Sequence, residues 1–151
     1  VKKIVTSDTK AEDLVGVTWV VGDLRFGRDI SDSSFQSSWD DDWHFVDEDV
    51  PVQASGIRCV EGDLSISNTK STADLSPLAN LAVIEGDLDI SFNDQLTTLT
   101  GLDGITTVGG NLDIHDNARL TTLTGLDGIT TVGGDLRIQY NAQLTTLTGL
   151  D

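Results

Sequence analysis

The chain is poor in positive charge: 9 Lys plus Arg stand against 25 Asp plus Glu, for a formal charge of -16. Nucleic acid and anionic membrane surfaces are held by Lys and Arg, so this balance argues against both as partners. A cation, a basic partner or a saline medium suits it better. A single cysteine, Cys59, excludes an intrachain disulfide and leaves the redox compartment open. No apolar run approaches the ~18 residues of a membrane-spanning helix, so membrane insertion is not expected. The sequence opens at Val1 with neither Met nor a signal segment, as a mature or excised segment would. Zinc patterns are missing as well. His44 and His115 have no Cys or His partner at metal spacing, and both are expected as surface histidines.

What the chain does have is repetition. Residues 96–110, LTTLTGLDGITTVGG, recur letter for letter at 120–134, a shift of 24. A period of this length marks the stacking of one small unit, and stacking sends every position outside the core into a straight surface column. Aligning Gly22-Asp23-Leu24, Gly62-Asp63-Leu64, Gly86-Asp87-Leu88, Gly110-Asn111-Leu112 and Gly134-Asp135-Leu136 gives steps of 40, 24, 24 and 24. Five units are therefore expected, and the longer first step places a 16-residue insertion around 27–55. The length suits one domain. It divides into a cap over 1–13, an irregular first unit over 14–61 and regular units over 62–151. With 38% hydrophobic residues in strict periods, the charge does not imply disorder.

Within a unit, Leu88 and Ile90, Leu112 and Ile114, and Leu136 and Ile138 point one way, while Asp89, Asp113 and Arg137 point the other. This alternation is that of a half-buried strand. Asn93, Asn117 and Asn141 follow at steps of 24 and predict an asparagine ladder at a tight turn. Leu96, Leu99, Leu102, Ile105 and Val108 are three apart, as in a helix. The Thr and Gly between them are poor helix formers, however, and Thr favours extended backbone. Two short strands, at 97–100 and 105–108 with a bend at 101–104, are expected instead. Each unit then forms one turn of a parallel β-solenoid with 24-residue coils, about five in all, around an inward column of Leu, Ile and Val. The chain stops inside a fresh repeat at Asp151 with no polar cap in sight. Either it continues, or a partner or second copy covers that end, because uncapped edges invite association.

The strings Gly62-Asp63-Leu64-Ser65-Ile66, Gly86-Asp87-Leu88-Asp89-Ile90-Ser91-Phe92-Asn93, Gly110-Asn111-Leu112-Asp113-Ile114-His115-Asp116-Asn117 and Gly134-Asp135-Leu136-Arg137-Ile138-Gln139-Tyr140-Asn141 carry a pattern GDLxIxxN, followed by LTTLTGL and ITTVGG. This pattern, over about 56–151, resembles bacterial leucine-rich repeats of the receptor L-domain type. That family includes the ligand-binding L domains of the insulin and epidermal growth factor receptors. The resemblance implies a right-handed β-solenoid, extracellular or cell-surface placement and a non-enzymatic binding role, with no catalytic residues to carry over. Cys59 stands where such domains often pair a cysteine with one upstream, and here that partner is missing. Asn68-Thr69 replaces the turn asparagine, so a different turn is expected in that unit. The first unit shares only Gly22-Asp23-Leu24-Arg25-Phe26 with the pattern.

Three surfaces are candidates for function. On the strands, Asp23, Asp63, Asp87, Asn111 and Asp135 form one outward column, Arg25, Ser65, Asp89, Asp113 and Arg137 the next, and Ser67, Ser91, His115 and Gln139 a third. The first is expected to bond turn amides; the second is either a recognition face or a solvated sheet. In the insertion, Phe35, Trp39, Trp43 and Phe45 lie beside Asp40, Asp41, Asp42 and Asp47. Aromatics beside carboxylates suit a sugar ring or a basic peptide, and equally a lid packed onto the body. These aspartates are also candidate calcium ligands, although they lack EF-hand spacing; no other cofactor is expected. Lastly, the Thr columns at 97, 121 and 145, at 98, 122 and 146, and at 106 and 130 form a regular hydroxyl array. No nucleophile, base and oxyanion set can be assembled, so no enzyme is expected. The leading expectation is a binding or adhesion module for a glycan or protein, using Phe35, Trp39, Trp43, Phe45, Asp89, Asp113, His115, Arg137 and Tyr140. A fibre or surface layer built by end-to-end stacking and an ice-binding Thr face are the alternatives.

Overall fold

The computed structural model describes residues 1–4, 11–27 and 49–150. Its strands are β1 Lys2–Ile4, β2 Trp19–Val21, β3 Leu24–Phe26, β4 Cys59–Val60, β5 Leu64–Ser67, β6 Val83–Ile84, β7 Leu88–Ser91, β8 Thr107–Val108, β9 Leu112–His115, β10 Thr131–Val132 and β11 Leu136–Gln139. They form two open parallel sheets, one of six strands ordered β1-β2-β4-β6-β8-β10 and one of five ordered β11-β9-β7-β5-β3. The fold is all-β and parallel. Helix among the described residues is limited to 3-10 turns at Ala11–Leu14, Val52–Gly56 and Ser76–Leu78, and none is long and apolar enough to cross a membrane.

The pairing register reproduces the sequence period. Leu88, Asp89, Ile90 and Ser91 pair with Leu112, Asp113, Ile114 and His115, and these with Leu136, Arg137, Ile138 and Gln139, each 24 residues on. At the insertion the step is 40, yet Leu24, Arg25 and Phe26 still pair with Leu64, Ser65 and Ile66. The extra residues therefore leave the strand register untouched. Alternation buries one side completely: Leu24, Leu64, Leu88 and Leu112, with Phe26, Ile66, Ile90 and Ile114, have no exposed surface. Val20, Val60, Ile84 and Val108 line the opposite sheet, and Leu75, Leu99 and Leu123 with Leu78, Leu102 and Leu126 fill the space between. Each such side chain contributes about 1.5–3 kcal/mol by leaving water. Residues 1–13, expected as a cap, contribute β1 to the edge of the six-stranded sheet.

The asparagine ladder is present. Asn93 donates its backbone N–H to Asn117 Oδ1 at 3.1 Å, Asn117 donates likewise to Asn141 Oδ1 at 3.0 Å, and each side-chain amide also reaches a carbonyl of the preceding unit. Thr69 occupies the matching position one unit earlier. Its N–H and hydroxyl donate to Asn93 Oδ1 at 3.1 and 2.8 Å. The expectation of a different turn in that unit is thus corrected. Asn68, Phe92, Asp116 and Tyr140, each just before the ladder residue, share one left-handed backbone with φ of 54–55°. Threonine keeps the donor side of the ladder, so the turn survives the exchange.

The expected strand at 97–100 is not found. Backbone bonds between units are few there: Thr97 N–H to Ala73 O at 3.1 Å and Leu75 N–H to Thr100 O at 2.9 Å for one segment, and Thr121 N–H to Thr97 O at 3.2 Å for the next. A side-chain competitor explains the loss of a ladder. Thr98 Oγ1 accepts the Thr100 N–H at 3.2 Å, and Thr122 does the same for Thr124, curling the backbone into a local turn. The strand expected at 105–108 shortens to Thr107–Val108, because Ile105 N–H closes a turn onto Leu102 O at 2.9 Å.

Candidate binding face on the five-stranded sheet

The outer face of the five-stranded sheet carries the three polar columns, fixed side by side by register. The column at the strand entries is structural. Asp63 donates its N–H to Asp23 Oδ1 at 2.8 Å, Asp87 to Asp63 at 2.7 Å, Asn111 to Asp87 at 2.6 Å and Asp135 to Asn111 at 2.8 Å. This second ladder satisfies the turn amides but stacks carboxylates on one another. Burial raises the Asp63 carboxyl above its ordinary value, the Asp87 amide offsets part of this, and the charges of Asp23 and Asp87 raise it again.

Asn111 does the same work without charge, so Asp63→Asn should keep the bond and remove the repulsion. A gain of roughly 0.5 kcal/mol is expected at neutral pH. Because the folded-state value lies above the unfolded one, ionised Asp63 opposes folding at neutral pH, and that deficit disappears as pH falls through the raised value. Melting temperatures of both proteins at neutral and acid pH test this: the gain should vanish in acid. A loss at neutral pH would show that the carboxylate itself is required.

The second and third columns form a connected polar face. Asp89 Oδ2 accepts the hydroxyls of Ser91 at 3.0 Å and Ser65 at 3.2 Å, while Asp89 Oδ1 lies 3.5 Å from His115 Nε2. On its other side His115 Nδ1 meets Asp116 Oδ2 at 3.0 Å. Burial pushes the Asp89 carboxyl up, the two serines and His115 pull it down, and Asp113 raises it further. Asp113, paired in register with Asp89, has a buried Oδ1 with no hydrogen-bond partner among the described residues. Arg137, next to Asp113, turns to Asp135 Oδ2 at 2.6 Å. Near β3, Arg25 Nη2 donates to Ser67 Oγ at 3.3 Å. A recess of 250 Å³ opens between Arg25, Asp63, Leu64, Ser65, Asp87 and Asp89.

Of the residues singled out from sequence, Asp89, Asp113 and His115 come together on β7 and β9, and Arg137 joins them from β11. Tyr140 follows directly on β11, with 75% of its surface exposed. Phe35, Trp39, Trp43 and Phe45, with Asp40, Asp41, Asp42 and Asp47, lie outside the described residues. Among the described residues no group of three His, Cys, Asp or Glu is arranged to hold a metal. Phe92 was not singled out, yet it packs edge-on against His115 with ring centroids 5.2 Å apart at 87°. Its place before Asn93 was legible; the contact was not. In the Thr columns, Thr97, Thr121, Thr106 and Thr130 donate their hydroxyls to carbonyls of the preceding unit at 3.1–3.3 Å. Those hydroxyls tie neighbouring units together.

No family model matches the chain, and no curated protein matches it. The chemistry of the outer face is what remains to speak for function. It offers carboxylate acceptors, hydroxyls, an imidazole and a guanidinium at fixed spacing on a rigid sheet.

Proposed function

We propose that the protein is a non-catalytic binding or adhesion module, extracellular or at the cell surface, built as a right-handed β-solenoid of 24-residue coils. It holds a glycan or protein ligand on the outer face of β7, β9 and β11, with the aromatic and acidic insertion contributing on sequence grounds; on β5 the outward Ser65 and Ser67 are buried. Pairing partners 24 residues apart support the coil. The observation that carries the binding role is the Asp89–Asp113 register pair, half-buried, with an Asp113 oxygen that has no partner among the described residues. Like charges directly opposed on a sheet destabilise it, and an unmet buried acceptor adds to that cost. Ser65, in the same column, shows that a neutral residue fits there.

The test is a panel of immobilised glycans and proteins probed with the wild type and Asp113→Arg. Arg already stands in this column at Arg25 and Arg137, so the variant should fold with a melting temperature within about 3 °C of wild type. At least tenfold weaker binding is expected. Undiminished binding by the folded variant would remove the face from the ligand site. A self-assembling structural role is the second reading, favoured by the letter-for-letter recurrence of 96–110 at 120–134, which gives successive units matching surfaces. Sedimentation at increasing concentration separates the two, since filaments support the second reading and a stable monomer the first.

A further inference from the structure

Four residues share the left-handed backbone before the ladder, and they are not of one kind. Asn68 and Asp116 belong to the residue types that adopt it readily; Phe92 and Tyr140 do not. Two units thus hold a bulky ring in a conformation that the other two occupy with suited side chains. Burial does not explain the choice at Phe92, which is 43% exposed although β7 is flanked by β5 and β9. Both rings stand in one column at the border of the polar face, next to the column of Ser91, His115 and Gln139. Two units separate them, about 10 Å at the spacing of parallel strands. Asp116 stands between.

Resting on the binding-face reading above, we propose that Phe92 and Tyr140 are the two stacking platforms of a glycan site. The ligand is an extended, uncharged oligosaccharide lying along the stacking direction. Its first and third rings rest on the aromatic faces, and its hydroxyls bond to Asp116, His115, Gln139 and Arg137. A sugar ring has an apolar face and a polar rim, and isolated rings set among acceptors match that pattern. A protein hot spot instead gathers its aromatics into one contiguous dry patch. Acidic glycans are disfavoured by Asp89, Asp113 and Asp116 and by the net charge of -16.

The experiment is calorimetric titration of the 151-residue chain with β-1,4-linked glucose and N-acetylglucosamine oligosaccharides of increasing length, alongside Phe92→Asn, Tyr140→Asn and the double variant. Affinity for the wild type should rise about tenfold between two and three rings. Either single variant should abolish that step, and the double variant should bind at least tenfold more weakly. Melting temperature supplies an independent readout. Tyr140→Asn relieves the backbone and should melt about 2 °C higher; Phe92→Asn, which also loses the His115 contact, should stay within about 3 °C. A clear fall on Tyr140→Asn would mark that ring as structural and overturn the proposal. So would equal affinity for two and three rings, or no oligosaccharide binding at all. If a protein from the panel then binds and Asp113→Arg weakens it, the face stands and the glycan assignment falls; if nothing binds, both fall.

Discussion

Asn117→Ala is expected to cost about 4 kcal/mol of stability and to lower the melting temperature by roughly 12 °C. Asn117 is fully buried. Its Oδ1 accepts both the backbone N–H and the side-chain amide of Asn93, each at 3.1 Å. Its own Nδ2 donates to Ile90 O at 2.9 Å, His115 O at 3.0 Å and Asn141 Oδ1 at 3.1 Å. Alanine removes the acceptor and the donor together, leaving the Asn93 amide and the Ile90 carbonyl buried without these partners. Each orphaned buried group costs roughly 1–3 kcal/mol. Urea denaturation followed by circular dichroism measures the loss. A change below about 1 kcal/mol would mean that water replaces the ladder at little cost.

Gly101→Ala should be nearly as damaging, at about 3 kcal/mol. Gly101 has φ 111°, and a Cβ there would lie 2.1 Å from Leu75 C and O and 2.4 Å from Ser76 N. These are backbone atoms of the preceding unit and cannot rotate aside. Relief requires the two units to part, which breaks the Leu75 N–H bond to Thr100 O at 2.9 Å and the Thr97 N–H bond to Ala73 O. Gly22 is the control. It has φ 90°, and no described residue lies within 4 Å of where a Cβ would stand, so Gly22→Ala carries only the conformational penalty of about 1–2 kcal/mol. The difference between the two losses measures close packing between units. Equal losses would show that conformation alone accounts for Gly101.

Much of this scaffold was legible because its signals repeat. Leu88 and Ile90 against Asp89, then Leu112 and Ile114 against Asp113, set both the strand period and the unit length, and the register follows. Asn93, Asn117 and Asn141 announced the ladder, since a buried amide at a turn has few other uses. What stayed hidden depended on competition between local bonds. Thr98 reads as a strand residue, but its hydroxyl captures the Thr100 N–H and prevents a ladder. Thr69 reads as a break in the asparagine pattern, yet its two donors serve the Asn93 oxygen.

The candidate face was legible as columns, not as a network. Spacing places Ser65, Asp89 and Asp113 in line, but it does not say that Asp89 gathers two serine hydroxyls or that Asp113 has an oxygen unmet among the described residues. Phe92 lay in plain view inside the repeat. Its significance needs the φ value, which no periodicity supplies.

Ligand held on the outer face of the five-stranded sheet would shield the amides of its strands from solvent. Amide hydrogen exchange, with and without a ligand taken from the binding panel, tests this most directly. Added protection should concentrate at 88–92, 112–116 and 136–140, leaving 97–100 and 121–124 unchanged. Protection confined to those Thr segments, with the outer strands unaltered by a ligand that demonstrably binds, would place the ligand site elsewhere.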